Sequence, residues 1–524
     1  MAGFLDVLLR GLLLTFVSVA VGGIAWLRLV LRAEPYAKPD VAAAASLRAV
    51  STAAWLAAAV QGVILLLLLA DLTAQTGGLP LGPYLETTFA RIALGRVVLG
   101  VMLGVVAARL ARRAAGRRAW AALATLGLSL VVSSAALSHA VARVSDRALL
   151  FAVDAAHQLA VAVWVGGLAH LTLHAVRGRG EADPRDRVVA RRFSSVALGA
   201  VTALTATGVT LTVIYVGDLA ALVGTAYGVM ILSKVTLLGA VLVLAYANFR
   251  LVRRAAAAST ARLARLVEVE LGLGVTVLFV AASLTSLPPA VDVGADRATV
   301  AEVASRFVPA PPRLASPPID ELLRTADPLM APPGERKPVE RAWSEYNHHW
   351  AGLFVLAMGL LAVLERLGLR GGRHWPLALL GLAIFLFIRN DPRAWPLGPA
   401  GFWESMTLPD VLQHRAFVLL IVAFGVFEWM VRTGRLRPRP WSYVFPLLCA
   451  VGGGLLLTHS HAMFSLKDEF LTEVTHAPLG ILGSFAGWGR WLEVRLPEAG
   501  ETPGWIWRAC LVGVGLLLLF YRES

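Results

Sequence analysis

Long apolar runs recur along the whole chain, and short polar stretches separate them. An apolar run of about 18 residues or more can cross the hydrocarbon core of a bilayer as an α-helix. The pattern predicts fourteen membrane-spanning helices, covering residues 8–31, 48–70, 91–110, 119–142, 147–174, 193–216, 228–249, 266–287, 348–366, 374–389, 411–431, 441–461, 473–492 and 505–521. The expected fold class is therefore an all-α, polytopic integral membrane protein.

The composition indicates a protein whose main partner is the lipid bilayer. Hydrophobic residues make up 57% of the 524 residues and charged residues only 16%, with a mean hydropathy of +0.69. That leaves too little polar surface for a soluble protein of this length. The net charge of +14 is interpreted as the basic excess of cytoplasmic loops, and no nucleic-acid partner is expected. The two cysteines, Cys449 and Cys510, lie in apolar runs and indicate neither a disulfide framework nor a thiolate site.

Arginine-rich loops follow the odd-numbered predicted spans from the third to the thirteenth, whereas the loops after even-numbered spans are poorer in lysine and arginine. The positive-inside rule places the basic loops in the cytoplasm, so the N-terminus is expected outside. The first apolar run lacks a small-residue cleavage site and is expected to be retained as a helix. The predicted location is the inner (plasma) membrane of a bacterial cell, with a multi-pass topology.

A stretch rich in proline and alanine interrupts the spans at residues 288–346. We expect an extracytoplasmic linker there, with one short helix at Ile319–Thr325. The linker would separate an eight-helix membrane domain, residues 1–287, from a six-helix membrane domain, residues 347–524. These boundaries divide the candidate site residues into an N-terminal set and a C-terminal set.

Ionisable residues inside the N-terminal spans are costly and therefore point to a functional site. His139 ends the fourth span, and Asp154 and His157 lie one turn apart on the outer half of the fifth. An Asp beside a His suits a metal site or a proton relay, because the carboxylate can bind the metal or orient the imidazole. The alternative is a hydrogen-bonded polar pair that locks two helices together. His170 and His174 lie at the inner end of the fifth span and are interpreted as interfacial residues.

Several motifs in this half of the chain occur in register. They are the Gly-Thr-x-Tyr-Gly turn at 224–228, Lys234, the Asn-x-Arg motif at 248–250, His157 with Trp164-Val-Gly-Gly167, Arg192-Phe-Ser194, Thr207-Gly208, and the closing segment from Val267 through Glu270 to Ala290. Together they resemble the copper resistance protein D (CopD) family over about residues 135–290. The resemblance implies copper movement across the inner membrane, often beside a periplasmic copper-binding partner of the CopC type. Only eight methionines occur, so histidine would carry most of the copper binding.

The C-terminal half carries a second set of candidate metal ligands at predicted outer helix ends. They are His348, His349, His414, His459, His461 and His476, with Met463 close enough to add a soft sulfur ligand. Imidazoles at one depth suit copper or zinc, and they could also provide axial ligands to haem b. The remaining interpretation is a set of interfacial residues without a ligand. Only His374 in this half is expected at the inner face.

A weak repeat places a glutamate at the inner end of three C-terminal spans, each of which has a histidine at its outer end. The glutamates are Glu365, Glu428 and Glu493. The spacing drifts between copies, so a common membrane-anchor pattern is the alternative to true repetition. We recognise no family for this half of the chain.

The function expected from the sequence is copper handling at the inner membrane, by transport, uptake or delivery through the CopD-like half. No enzymatic activity is expected, and the sequence contains no phosphate-binding loop for ATP-driven transport. Two alternatives remain open. One is a haem-binding membrane redox protein, and the other is a non-transporting factor that hands copper to a membrane enzyme.

Overall fold

A computed structural model describes residues 2–139, 146–177, 184–253, 259–325, 337–389, 391–458 and 467–523. Every regular element in this part of the chain is a helix. Thirteen helices among the described residues are long and apolar enough to cross a membrane. The predicted all-α, polytopic membrane fold is therefore confirmed.

The helices up to residue 284 reproduce the first eight predicted spans. In chain order they are α1 (Ala2–Ala25), α2 (Val41–Thr76), α3 (Leu81–Glu86), α4 (Thr88–Leu110), α5 (Arg117–Ala135), α6 (Arg147–Val161), α7 (Gly167–Arg177), α8 (Pro184–Val216), α9 (Leu219–Gly224), α10 (Ala226–Arg253) and α11 (Ser259–Leu284). Two π-helical turns, Trp26–Val30 and Ala162–Gly166, extend α1 and join α6 to α7. Asp40 and Thr87 start α2 and α4 by accepting backbone N–H bonds as N-caps.

The remaining helices begin within the predicted linker. They are α12 (Val300–Ser305), α13 (Ile319–Thr325), α14 (Pro338–Arg366), α15 (Ala378–Arg389), α16 (Phe402–Ser405), α17 (Pro409–Arg432), α18 (Pro438–Trp441), α19 (Val444–Thr458), α20 (Lys467–Glu473), α21 (His476–Arg495) and α22 (Thr502–Leu519). Short 3₁₀ turns lie at Ala290–Asp292, Gly294–Asp296, Arg370–Leu377 and Pro497–Ala499. The predicted short helix at Ile319–Thr325 is confirmed.

The chain divides into two compact units. The first unit comprises Met1–Leu222, Met230–Gly294 and Thr458–Ser460, and the second comprises Val223–Val229, Ala295–Leu457 and His461–Ser524. In the second unit, Lys467 on α20 forms an ion pair of 2.6 Å with Glu302 on α12. That bond lowers the pKa of the exposed Glu302 carboxyl to about 2. Helix α12, which lies in the predicted linker, thus packs within the second unit. The two predicted domain boundaries stay predictions.

The thirteenth predicted span, residues 473–492, forms a helix but is not among the thirteen described helices that are apolar enough to span a membrane. This helix, α21, carries four glycines and ends in charged residues. A Cβ added to Gly487 would lie 2.4 Å from the backbone N of Ala450, and one on Gly453 would lie 2.4 Å from the backbone N of Ser484. The glycines therefore allow α19 and α21 to pack backbone against backbone, as small residues do in membrane helices. Composition at α21 favours close packing over contact with lipid.

Glycine also sets the packing of α1 against the π-helical turn in the first unit. A Cβ added to Gly166 would lie 1.9 Å from the carbonyl oxygen of Ser18, and one on Gly22 would lie 2.2 Å from that of Ala162. Backbone atoms cannot move aside as flexible side chains do. The two glycines are therefore required for the close approach of these segments.

We expect Gly166→Ala to lower the free energy of unfolding by about 1–3 kcal/mol, because an added methyl overpacks the contact with α1. Gly199→Ala is the matched control, since its Cβ would meet no atom within 4 Å on the exposed side of α8. Thermal unfolding of both purified variants in detergent is the measurement. Equal melting temperatures for the two variants would contradict the close packing.

Candidate functional site

Asp154 lies at the centre of a polar cluster in the first unit. Its Oδ2 accepts a 2.8 Å hydrogen bond from Gln158 one turn along α6. Ser138, which follows α5, also hydrogen-bonds to the carboxylate, and Lys234 of α10 and His139 interact with it electrostatically. Lys234 thus attracts Asp154 without an ion pair between them among the described residues. Helices that are far apart in the sequence together build the polar environment that Asp154 and His157 were expected to share.

His157 points at α8, where its Nδ1 lies 3.0 Å from the Thr207 hydroxyl oxygen. That hydroxyl already donates its only hydrogen to the carbonyl of Ala203, 2.7 Å away. With the hydroxyl hydrogen used in this way, the His157 Nδ1–H is assigned as the donor to Thr207, which leaves Nε2 with a lone pair, and the ring also hydrogen-bonds to the backbone of Leu204. A second-shell oxygen that fixes the tautomer in this way is typical of a metal-binding histidine. Gly208 lets the same helix pack closely on the imidazole, because a Cβ there would lie 3.3 Å from His157 Cε1.

His139 is oriented in a similar manner by backbone rather than by a side chain. Its Nε2 donates to the carbonyl oxygen of Leu284 over 3.1 Å, and its ring meets Tyr215 edge-on at 6.4 Å between centroids. In the neutral tautomer with the proton on Nε2, the lone pair lies on Nδ1. Within the described residues, no three His, Cys, Asp or Glu side chains gather closely enough to hold a metal ion. His139, Asp154 and His157 therefore share one region without forming a three-ligand cage.

The interfacial interpretation of His170 is wrong, because only 1% of this residue is exposed. Its Nε2 donates to the carbonyl of Val19 over 3.1 Å, and its ring stacks on Trp26 at 6.4 Å. His174, in contrast, is partly exposed and pairs with Asp186 at 3.0 Å. His170 therefore ties α7 to α1, and His174 ties α7 to α8.

A second buried polar group in the first unit lies between α10, α11 and the π-helical turn. Glu270 is 4% exposed, and its two carboxylate oxygens accept from the indole N–H of Trp164 at 3.3 Å and the amide of Asn248 at 2.7 Å. In the sequence, Trp164, Asn248 and Glu270 stand out only as parts of the CopD resemblance. The signal that could have found the group is a glutamate inside an apolar run.

In the second unit, both ring nitrogens of His349 are occupied by backbone groups. The N–H of Arg313 donates to Nδ1 over 2.7 Å, and Nε2 donates to the carbonyl of Tyr521 over 2.8 Å. The neighbouring His348 donates from Nδ1 to the carbonyl of Ser344 at 2.8 Å and stacks on Tyr521 at 4.0 Å. These two histidines bind the chain segment that follows α22.

In the described part of the chain, His348, His349, His414 and His476 do not belong to any group of three or more possible metal ligands. His414 is exposed and lies near Asp391, whose pKa is raised by burial but lowered overall by its bonds to Arg393. His476 begins α21 and is partly buried. His459, His461 and Met463 lie outside the described residues. These contacts do not form a metal site, and the C-terminal metal site stays a prediction.

The three inner-end glutamates of the weak repeat converge in one buried charge cluster. Arg432 binds Glu428 at 2.8 Å and Glu365 at 3.4 Å, while Arg508 binds Glu493 at 2.9 Å. Arg490 pairs with Glu493, and the guanidinium groups of all three arginines lie over the ring of Trp507. The glutamates were predicted from the repeat, whereas Arg432, Arg490 and Arg508 were not predicted as their partners.

Comparison with known proteins supports the CopD resemblance in one part of the chain. Residues 187–284 match the family model of copper resistance protein D, which confirms the predicted CopD-family region. Copper transport protein CutJ of Bacillus subtilis (strain 168) is 31% identical over 173 residues, which cover 32% of this chain and 31% of that protein. The match thus spans under a third of that relative's length. No solved structure matches the chain.

Proposed function

We propose that this multi-pass membrane protein handles copper and that its first unit passes copper across the bilayer. One observation carries the proposal. Thr207, Lys234, Asn248 and Glu270, the polar partners of α6 and of the π-helical turn, all lie within the CopD-family region 187–284. The family region thus supplies the groups that orient His157 and face Asp154.

His157 is the proposed copper ligand because its hydrogen bond to Thr207 leaves Nε2 free to coordinate. Asp154 supplies a carboxylate beside it, and His139 supplies a second imidazole with its Nδ1 lone pair available. A neutral imidazole suits both oxidation states of copper better than it suits hard cations. Copper would be cargo here, and no chemical conversion is required of the protein.

The proposed setting is the bacterial inner membrane, with the N-terminus and His139 facing the periplasm. That orientation follows from the arginine-rich loops and the positive-inside rule. It would let a periplasmic copper-binding protein of the CopC type deliver copper to the first unit. The C-terminal histidines His414, His459, His461 and His476, with Met463, would then face the same compartment.

The test is Cu(I) uptake by full-length protein in proteoliposomes, with bound metal measured by elemental analysis. Because Thr207 fixes the His157 tautomer, we expect Thr207→Val to weaken copper binding about 10–100-fold and His157→Ala to weaken it at least as much. Thr207→Ser should restore binding. His174→Ala, which removes a partly exposed histidine paired with Asp186, is the matched control.

Wild-type copper uptake in His157→Ala would remove His157 from the pathway. A Soret absorption band in the purified protein would favour the haem alternative instead. Copper bound without any uptake, together with loss of a copper enzyme on gene deletion, would favour delivery to an enzyme over transport.

A further inference from the structure

The carboxylate of Glu270 is buried in the membrane-spanning part of the first unit with neutral partners only. Trp164 and Asn248 donate one N–H each, and the three side chains are 4%, 1% and 7% exposed for Glu270, Trp164 and Asn248. Among the described residues, no lysine, arginine or histidine side chain forms an ion pair with it. An uncompensated negative charge at such a place is costly, so the group requires a bound cation or a proton.

The other titratable side chains on the elements around Glu270 do not supply that cation. Four of them interact with other charged side chains: Arg10 with Asp6, His174 with Asp186, Arg265 with Glu268, and Lys234 with Asp154. His170 bonds to the Val19 carbonyl, and Arg250 and Arg253 lie over the rings of Tyr246 and Phe249. Arg177 and Arg262 are exposed. An ion from outside the chain must therefore neutralise the charge on Glu270.

Asn248 indicates which ion this is. Its Nδ2–H donates to Glu270 Oε2 over 2.7 Å, while its own Oδ1 is buried and has no hydrogen-bond partner among the described residues. An unmet buried acceptor costs about 1–3 kcal/mol. A carboxylic acid differs from a carboxylate by one O–H donor, and an amide can present either a donor or an acceptor to it.

We propose that Glu270 binds and releases a proton, and that Asn248 turns its amide to serve both states. On protonation, a proton from water joins Oε2, the Nδ2–H···Oε2 bond breaks, and an O–H···Oδ1 bond forms. The indole N–H of Trp164 donates to Oε1 in both states. Together with the proposed copper transport, on which this step rests, proton exchange at Glu270 couples proton movement to copper movement.

The backbone at Trp164 supports a functional role for this site. Trp164 lies in the π-helical turn Ala162–Gly166, and single π-helical turns inside α-helices are frequent at functional sites. The same turn packs its backbone on α1 through Gly166 and Gly22. The indole is therefore held on a rigid segment, and the amide of Asn248 is the partner that can reorient.

Infrared difference spectroscopy of the full-length protein, recorded while the pH is changed, tests the site directly. A protonated carboxylic acid has a C=O stretching band that a carboxylate lacks. We expect a pH-dependent band that disappears in Glu270→Gln and remains in Glu268→Gln, a half-buried control two residues away that pairs with Arg265. Asn248→Leu should keep the band but shift its frequency, because the acid loses its hydrogen-bond acceptor.

Proteoliposomes containing a pH-sensitive dye connect the site to transport. Copper uptake by the wild type should respond to an imposed pH gradient, and Glu270→Gln should lose that response while it still binds copper. An unchanged pH-dependent band in Glu270→Gln, or a band that responds to Na⁺ and not to pH, would overturn the proposal. If the wild type moves no copper but the band behaves as expected, the transport function fails and the proton site stands.

Discussion

Replacing Arg432 by methionine is expected to lower the free energy of unfolding of the second unit by about 3–5 kcal/mol. Arg432 bonds to Glu428 at 2.8 Å and to Glu365 at 3.4 Å, and its guanidinium lies over Trp375 and Trp507 at 5.1 and 5.4 Å. Methionine keeps much of the apolar contact but removes the charge. Glu428, which is 2% exposed, then stays buried with only the electrostatic attraction of Arg490 and without its ion-pair partner.

The double variant Arg432→Met with Glu428→Gln should recover a large part of that loss. Removing both members of a buried ion pair is often close to neutral, whereas removing one leaves a bare charge. Arg366→Met is the control, because Arg366 pairs at 3.5 Å with Glu501, which is 75% exposed. A surface pair of this kind contributes about 0–1 kcal/mol.

The two cysteines make this measurement specific to one unit. Cys449 and Cys510 are the chain's only cysteines, and both belong to the second unit. The rate at which a thiol-reactive dye labels them in rising denaturant therefore reports unfolding of that unit. Equal labelling midpoints for Arg432→Met and Arg366→Met would show that the cluster does not hold the helices together.

The sequence predicted the spans well because a helix in a bilayer needs a long apolar run, and such runs are visible without any tertiary information. The span predicted at 91–110 forms at Thr88–Leu110, and the one at 411–431 forms at Val411–Arg432. The exception was α21, whose glycines face neighbouring backbones rather than lipid. Hydropathy alone could not distinguish a lipid-facing helix from one packed against other helices.

Contacts within one helix were also predictable, whereas contacts between helices were not. Asp154 and Gln158 lie four residues apart, which places them on one face of α6, and they are hydrogen-bonded. The bond from His157 to Thr207 depends on how α6 packs against α8, which spacing cannot show. In the same way, the repeat placed Glu428 at an inner helix end, but the sequence did not indicate Arg432 as its partner.

Asp154 and Lys234 provide the second large expected effect, and it separates stability from copper binding. Asp154 and Lys234 attract each other within the first unit without an ion pair between them among the described residues, so Asp154→Asn or Lys234→Met alone leaves the other charge without this attraction. We expect each single variant to lose about 1–3 kcal/mol of unfolding free energy, and the double variant to recover a large part of it. Thermal unfolding of the four proteins gives this cycle directly.

Copper binding should move in opposite directions in the same two variants. Lys234 also interacts with His157, so its positive charge opposes a cation held at Nε2. Lys234→Met is therefore expected to tighten Cu(I) binding by about tenfold, equivalent to ~1.4 kcal/mol, whereas Asp154→Asn weakens it. A purely structural pair would weaken binding in both variants alike, because each lowers stability. Copper affinities that fall together would thus assign Asp154 and Lys234 to packing, and affinities that move apart would place them beside the metal.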